Sequence, residues 1–133
     1  MSQHEPSFEV LATRIGLTID EWSAERVVGS MPVAGNVQPD GVLHGGASCS
    51  MIEELASAGA AAVAGWPERL VMGIQQTTNF VRAVRDGTVR GVATPIHTGR
   101  TTHVWQVDVT HVETGKLVAT GRVTLAVRER PAE

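Results

Sequence analysis

The sequence predicts an α+β fold, an antiparallel β-sheet wrapped around one long central α-helix. Three observations carry that expectation. Residues 47–64 contain no proline, are rich in Ala, Leu and Met, and are closed by Gly65-Trp66-Pro67, so they read as a helix with a firm stop. Four strand-like segments follow, with the turn signals Asp86-Gly87 and Thr114-Gly115 between them. Two shorter strand-like segments precede it. Strands, one helix and then a run of strands with tight turns suit a sheet folded over a helix.

Taken in order, residues 1–6 are polar and read as a loose end. Ser7 is a candidate cap for a short helix whose Phe8, Leu11 and Ile15 share one face, ended by Gly16. Residues 17–22 and 25–33 read as two strands with a turn near Ser23. The second alternates Glu25, Val27, Gly29, Met31 and Val33 on one face. Residues 38–46 are loop chemistry, broken by Pro39, Gly41, Gly45 and Gly46. The helix that follows is apolar or small on nearly every side, which predicts protein all around it. After it come strands at about 70–81, 88–96, 101–111 and 116–127. In the last, Leu117, Ala119, Val123, Leu125 and Val127 alternate against Lys116, Thr120, Arg122 and Thr124. Residues 128–133 read as a frayed, charged tail. Nothing marks a repeat or linker, so 1–133 reads as one domain.

A chain of 133 residues can bury a core without staples. Its net charge of −3 argues against nucleic acid or an anionic membrane as the main partner. One cysteine, Cys49, excludes an intrachain disulfide and suits a reducing compartment. No apolar run approaches the ~20 residues of a membrane span, and no secretion signal opens the chain. The cytoplasm is the expected location. His44, His97, His103 and His111 lack tight ligand spacing, so no metal is expected, and Trp22, Trp66 and Trp105 read as packing residues.

Two features of the central stretch point to chemistry. Gly45 and Gly46 open the helix, where free N–H groups and the dipole favour developing negative charge on a carbonyl oxygen. A carboxylate within so apolar a helix is costly unless it is used or paired, and Glu53 and Glu54 point ~100° apart on it. Glu53 stands eight residues after Gly45, roughly 12 Å along the axis. One reacting carbon cannot lie ~3 Å from both. Two helices antiparallel across a two-fold axis would bring Gly45 of one chain to Glu53 of the other. Cooperation between the two therefore requires at least a dimer. Ser57, four residues after Glu53, shares its helix face.

The pattern Gln38, His44-Gly45-Gly46 and Glu53 resembles the hotdog-fold acyl-CoA thioesterases, a PaaI-like group. Within them it is most similar to the 4-hydroxybenzoyl-CoA and 1,4-dihydroxy-2-naphthoyl-CoA thioesterases, which place Glu on the helix. The resemblance runs through nearly the whole chain, including Gly73, Phe80-Val81-Arg82, Val89-Arg90-Gly91 and His97-Thr98-Gly99-Arg100. It implies a homo-oligomer, at least a dimer and usually a tetramer, that hydrolyses an acyl-CoA, foremost an aromatic one, with no cofactor beyond the CoA of the substrate. The nine-residue distance from His44 selects Glu53 over Glu54, as nucleophile or as general base. Gln38 is implied to lie near the thioester and Ser57 to orient water. His44 either bonds the substrate or fixes the loop, with positioning favoured.

The same resemblance implies a CoA groove formed by Phe80, Val81, Arg82 and Ala83 and by His97, Gly99, Arg100, Thr101 and Thr102, with Gly73 nearer the acyl or pantetheine side. Arg82, Arg85, Arg90 and Arg100 are the candidate partners of the CoA phosphates. The chain departs from its relatives at Phe80, where they often carry His, and their second basic residue can fall one place after Arg100. Two rival functions remain: a hotdog enoyl-CoA hydratase, which typically uses His and Asp in another local pattern, and a non-catalytic acyl-CoA sensor, which has no need of Glu53.

Overall fold

A computed structural model describes residues 10–132. Its elements are α1 (Leu11–Arg14), β1 (Thr18–Trp22), β2 (Val27–Pro32), α2 (Gly45–Ala64), β3 (Arg69–Phe80), β4 (Thr88–Thr98), β5 (Thr102–His111) and β6 (Leu117–Glu129). All six strands form one antiparallel sheet in the order β1-β2-β4-β5-β6-β3. The strand that leaves the helix, β3, thus runs to the far edge and pairs only with β6. The proposed cap Ser7 and its neighbour Phe8 lie outside the described residues. What is described of the first helix is one turn, closed by Gly16 at φ +71°.

α2 spans 20 residues and begins at Gly45, two residues before the predicted start. The reason is His44, whose Nδ1 accepts the Gly46 N–H at 2.7 Å and caps the first turn. Its end is as predicted: Gly65 takes φ +84° and donates its N–H to Ala61 O at 3.1 Å. Its buried residues are Ser48, Met51, Ile52, Leu55, Ala56, Gly59 and Ala60, a stripe stepping by three and one. Within one protomer the helix is therefore covered along a single face, not all around as expected. Small residues on the other face hide this contrast in the sequence.

The sheet curls over that stripe with Val27, Met31, Val89, Ala93, Trp105, Val107, Val109, Val123 and Leu125 in the core. Gly29 and Gly91 face each other across β2 and β4. A Cβ on Gly29 would lie 2.7 Å from Leu55, and one on Gly91 would also run into that side chain. The glycine pair is the seat of Leu55. Of the three tryptophans only Trp105 is core. Trp22 and Trp66 are more than half exposed, although Trp22 Nε1 still donates to Ala58 O at 2.7 Å.

One boundary differs in a way that matters. β6 continues to Glu129, where Leu70 pairs with Arg128 and Arg69 with Glu129, so the start of the expected frayed tail is strand. Leu117, expected inside, is 39 % exposed, while Val118, Ala119 and Ala126 are all buried. β3 carries a bulge between Gly73 and Gln75. From residue 70 to 80 it has no charged residue, and Met72, Ile74 and Phe80 stand exposed along it. Among the described residues no helix is long and apolar enough to cross a membrane.

Candidate active site

The loop before α2, the helix N-terminus and the chain leaving β3 enclose a cleft of about 460 Å³. Six of the predicted site residues line it: Gln38, Gly45, Phe80, Val81, Arg82 and Ala83. Val42, Leu43, Ser48 and Val118 complete the wall and were not singled out from sequence. Ser48 could have been, since it lies three residues after Gly45 on the same helix face. Val118 lies on a distant strand, and its carbonyl accepts the N–H groups of Val81 and Arg82 at 2.8 and 3.2 Å. Only the folded chain brings it there.

At the cleft floor, Gly45 is the first residue of α2, and its N–H has no acceptor among the described residues. First-turn donors are unpaired by helix geometry, so this N–H is free for an incoming oxygen. Absence of a side chain keeps the approach open: a Cβ on Gly45 would already lie 3.1 Å from the Phe80 ring. His44 contributes through its cap. An imidazole accepting at Nδ1 carries its proton on Nε2, the neutral tautomer, and holds the Gly45–Gly46 turn in place.

Glu53 does not line this cleft. Two helical turns on, its Oε1 accepts the Ser57 hydroxyl at 3.1 Å and faces the backbone of Gly73, where a Cβ would be 2.6 Å away. Ser57 bonds the carboxylate itself rather than the backbone behind it. Glu54 is half-buried, and its carboxyl is pushed above the ordinary range, first by burial and then by the charge of Glu53. Between the two centres, Gln76 Nε2 donates to Cys49 O at 3.2 Å and ties β3 to the helix.

His97, Gly99, Arg100, Thr101 and Thr102 form the β4–β5 hairpin, closed by Gly99 N–H to Thr102 O at 2.9 Å. That hairpin adjoins the start of β3, where Arg69 donates to Arg100 O at 3.0 Å. Phe80 to Ala83 leave the other end of β3. In one protomer the two predicted halves of a CoA groove are thus a strand's length apart, roughly 36 Å. Arg90 alternates with the buried Val89 and Gly91 and so belongs to the outer face of the sheet, away from the cleft.

The two buried histidines differ in how their ring nitrogens are met. His111 is satisfied by Thr114 Oγ1 and Asp86 O, both at 2.9 Å. His103 is held below the ordinary imidazole range by burial, against the opposing pull of a Gly99 backbone hydrogen bond. Among the described residues no three His, Cys, Asp or Glu side chains gather as a metal site requires.

A six-stranded antiparallel sheet curled over one long helix defines a hotdog protein. The sequence profile of the thioesterase superfamily matches residues 40–124, and the chain belongs to that family. It is 41% identical over 103 residues to the 1,4-dihydroxy-2-naphthoyl-CoA hydrolase of Escherichia coli, covering 74% of this chain and 71% of the relative. With the enzyme of that name from Listeria monocytogenes it shares 36% over 121 residues, covering 90% and 97%. Among solved structures, a mutant thioesterase of Pseudomonas aeruginosa superposes with a TM-score of 0.87 at 32% identity, over 92% of this chain and 88% of that one. The chain is a thioester hydrolase.

Proposed function

We propose that the protein hydrolyses an acyl-CoA, foremost an aromatic one, to the free acid and CoA, in a site shared by two protomers. One observation carries this reading: the free edge strand β3 runs between the two halves of the site. At one end Phe80 lies against Gly45, and seven residues back Gly73 lies against Glu53. A plain strand would put residues 73 and 80 on opposite faces, but the bulge after Gly73 returns both to the helix side. Antiparallel pairing of two β3 strands about an axis near Gln76–Thr77 sets Gly73 of one chain opposite Phe80 of the other. Gly45 and the partner's Glu53 then face one cavity. The same rotation carries the partner's β4–β5 hairpin, with its Arg100, toward the Arg82 end of the cleft. An exposed edge strand of 12 residues with no charge from residue 70 to 80 is a template for such pairing.

In that site the thioester oxygen takes the Gly45 N–H as charge develops on it, an interaction worth about 10²–10³ in kcat. Gln38 stands beside the same carbonyl. Glu53 either attacks the carbonyl carbon, giving a mixed anhydride that water then opens, or removes a proton from a water that attacks directly. Ser57 holds the carboxylate, or the water beside it, in line. Either way the C–S bond breaks, the acyl carbon gains the water oxygen, and the thiolate leaves to be protonated. This chemistry asks for no metal or redox cofactor. Support for an aromatic acyl group comes from the two relatives named as dihydroxynaphthoyl-CoA hydrolases. CoA thioesters make the cytoplasm the compartment of this reading. The outer sheet face, where Thr77, Asn79, Gln106 and Arg122 line a polar groove of about 440 Å³, is the surface left for joining two dimers into a homotetramer.

CoA-thiol release from a panel of aryl and alkyl acyl-CoAs, with Glu53→Ala and Glu54→Ala alongside, tests the reading. Glu53→Ala is expected to lose about 10²–10⁴-fold in turnover, as for a missing base or nucleophile, and Glu54→Ala only a few-fold. Equal activity in both variants would remove Glu53 from the mechanism. Binding without release from any thioester would favour the sensor.

A further inference from the structure

We propose that Arg85 is a positioning residue, whose guanidinium pins the Gln38–Gly41 turn to the segment carrying Arg82 and thereby sets the aim of Gln38. This inference rests on the reading of Gln38 as a residue of the thioester site.

The turn is a narrow hairpin tip. Its base is tied by Gln38 N–H to Val42 O at 2.9 Å, by the bridge between Val37 and Leu43, and by His44 N–H to Asn36 O at 2.8 Å. Its tip closes through Gly41 N–H to Gln38 O at 2.8 Å, with Gly41 at φ +89°. Pro39 and Asp40 are exposed, and the tip's own side-chain bond, Val42 N–H to Asp40 Oδ1, is long at 3.4 Å. One side chain reaches it from outside: Arg85 Nη1 donates to Asp40 O at 2.8 Å and lies 3.4 Å from where a Gly41 Cβ would stand. A guanidinium donor makes this a charge-assisted bond. Among the described residues Arg85 has no carboxylate partner that would divert it.

The arm that holds the tip has a fixed mount. Leu43 N–H donates to Val84 O at 2.8 Å and Val33 N–H to Gly87 O at 3.0 Å. Behind them His111 Nε2 meets Asp86 O at 2.9 Å, and Glu113 Oε1 accepts the Thr88 N–H at 2.9 Å. Gln38 and Arg82 lie on two walls of one cleft, and Arg85, outside it, ties the turn that carries Gln38 to the segment that carries Arg82. Arg85 Nη1 is one of five guanidinium donors, so a phosphate contact by the rest of the exposed side chain is the rival role that the kinetics below separate.

Two readouts of Arg85→Ala test this. The first is amide hydrogen exchange: release of the tip is expected to speed Gly41 and Leu43 at least about tenfold while β5 amides stay unchanged. The second is kinetics on an acyl-CoA beside the matching acyl-pantetheine, which has no nucleotide phosphates. A misaimed Gln38 should lower kcat/KM about tenfold on both substrates. Adding Arg85→Ala to Gln38→Ala should then cost nothing more. Loss confined to KM for the CoA substrate would make Arg85 a phosphate ligand and overturn the proposal, as would unchanged exchange at the tip. A wild-type protein that cleaves neither thioester would defeat the hydrolase reading, while the exchange result would still decide the clamp.

Discussion

Gly73 and Glu53 make a close relationship in the site, and it is asymmetric in what it protects. A Cβ on Gly73 would come to 2.6 Å from Glu53 Oε1, the far end of a flexible side chain. The fold can yield there by swinging the carboxylate aside, whereas the site cannot, because Ser57 holds Oε1 at 3.1 Å. Gly73→Ala is therefore expected to lower turnover about 10²-fold, the cost of misplacing a reacting group by an ångström. Its thermal midpoint should stay near that of the wild type. Thioester release and a melting curve measured together check this, and full activity in Gly73→Ala would show that the braced position of Glu53 is not the reactive one. Perturbed titration alone would have picked Glu54, the carboxyl that burial and Glu53 raise. Geometry is the better guide, since Glu54 shows no brace of this kind. The placement of Gly45 at the helix start and of Glu53 two turns on was legible in the sequence because one helix sets their spacing, while Gln38 was reached only through the family resemblance. Arg85 was legible only as a cation, because its acceptor is a backbone carbonyl 45 residues away.

At the scale of elements, packing between α2 and β5 fixes how deeply the helix sits in the sheet. Gly59 lies against Trp105, which is fully buried, and a Cβ there would run into the indole ring. Unlike the carboxylate at Gly73, this neighbour is rigid and closely packed. Gly59→Ala should destabilise the protein by about 1–3 kcal/mol of overpacking, against at most about 1 kcal/mol returned as helix propensity. Urea titration would show the lowered midpoint, and a midpoint at or above that of the wild type would mean that the ring shifts freely. Element order and type were legible because the proline-free helix, its Gly65 stop and the strand turns are local signals. The bulge after Gly73 and the extension of β6 were not, since both are set by cross-strand pairing of β3 with β6. The one-sided burial of α2 was hidden for a different reason: Ala, Gly and Ser give its two faces nearly equal polarity.

For the whole molecule, the two sheet edges are not equivalent. β1 is five residues long, carries Asp20 and Glu21, and is interrupted by a bulge between Ile19 and Glu21. Those are the usual defences of an edge against pairing. β3 is long and uncharged from residue 70 to 80, and it stands between the free Gly45 N–H and the braced Glu53. If two such edges pair, each active site takes its N–H from one chain and its carboxylate from the other. That division has a consequence which no single-chain site shares. Gly45→Pro removes the N–H at a helix position whose backbone suits proline, with the Phe80 ring giving way by a few tenths of an ångström to the new Cβ. Glu53→Ala removes the carboxylate, so either variant alone should be nearly inactive. Co-expressed, they form heterodimers in which one of two sites combines an intact Gly45 with an intact Glu53. Random pairing makes half the dimers mixed, so activity should return to roughly a quarter of the wild-type value. A site confined to one chain leaves the mixture as dead as its parents, because every chain then carries a lesion in its own site.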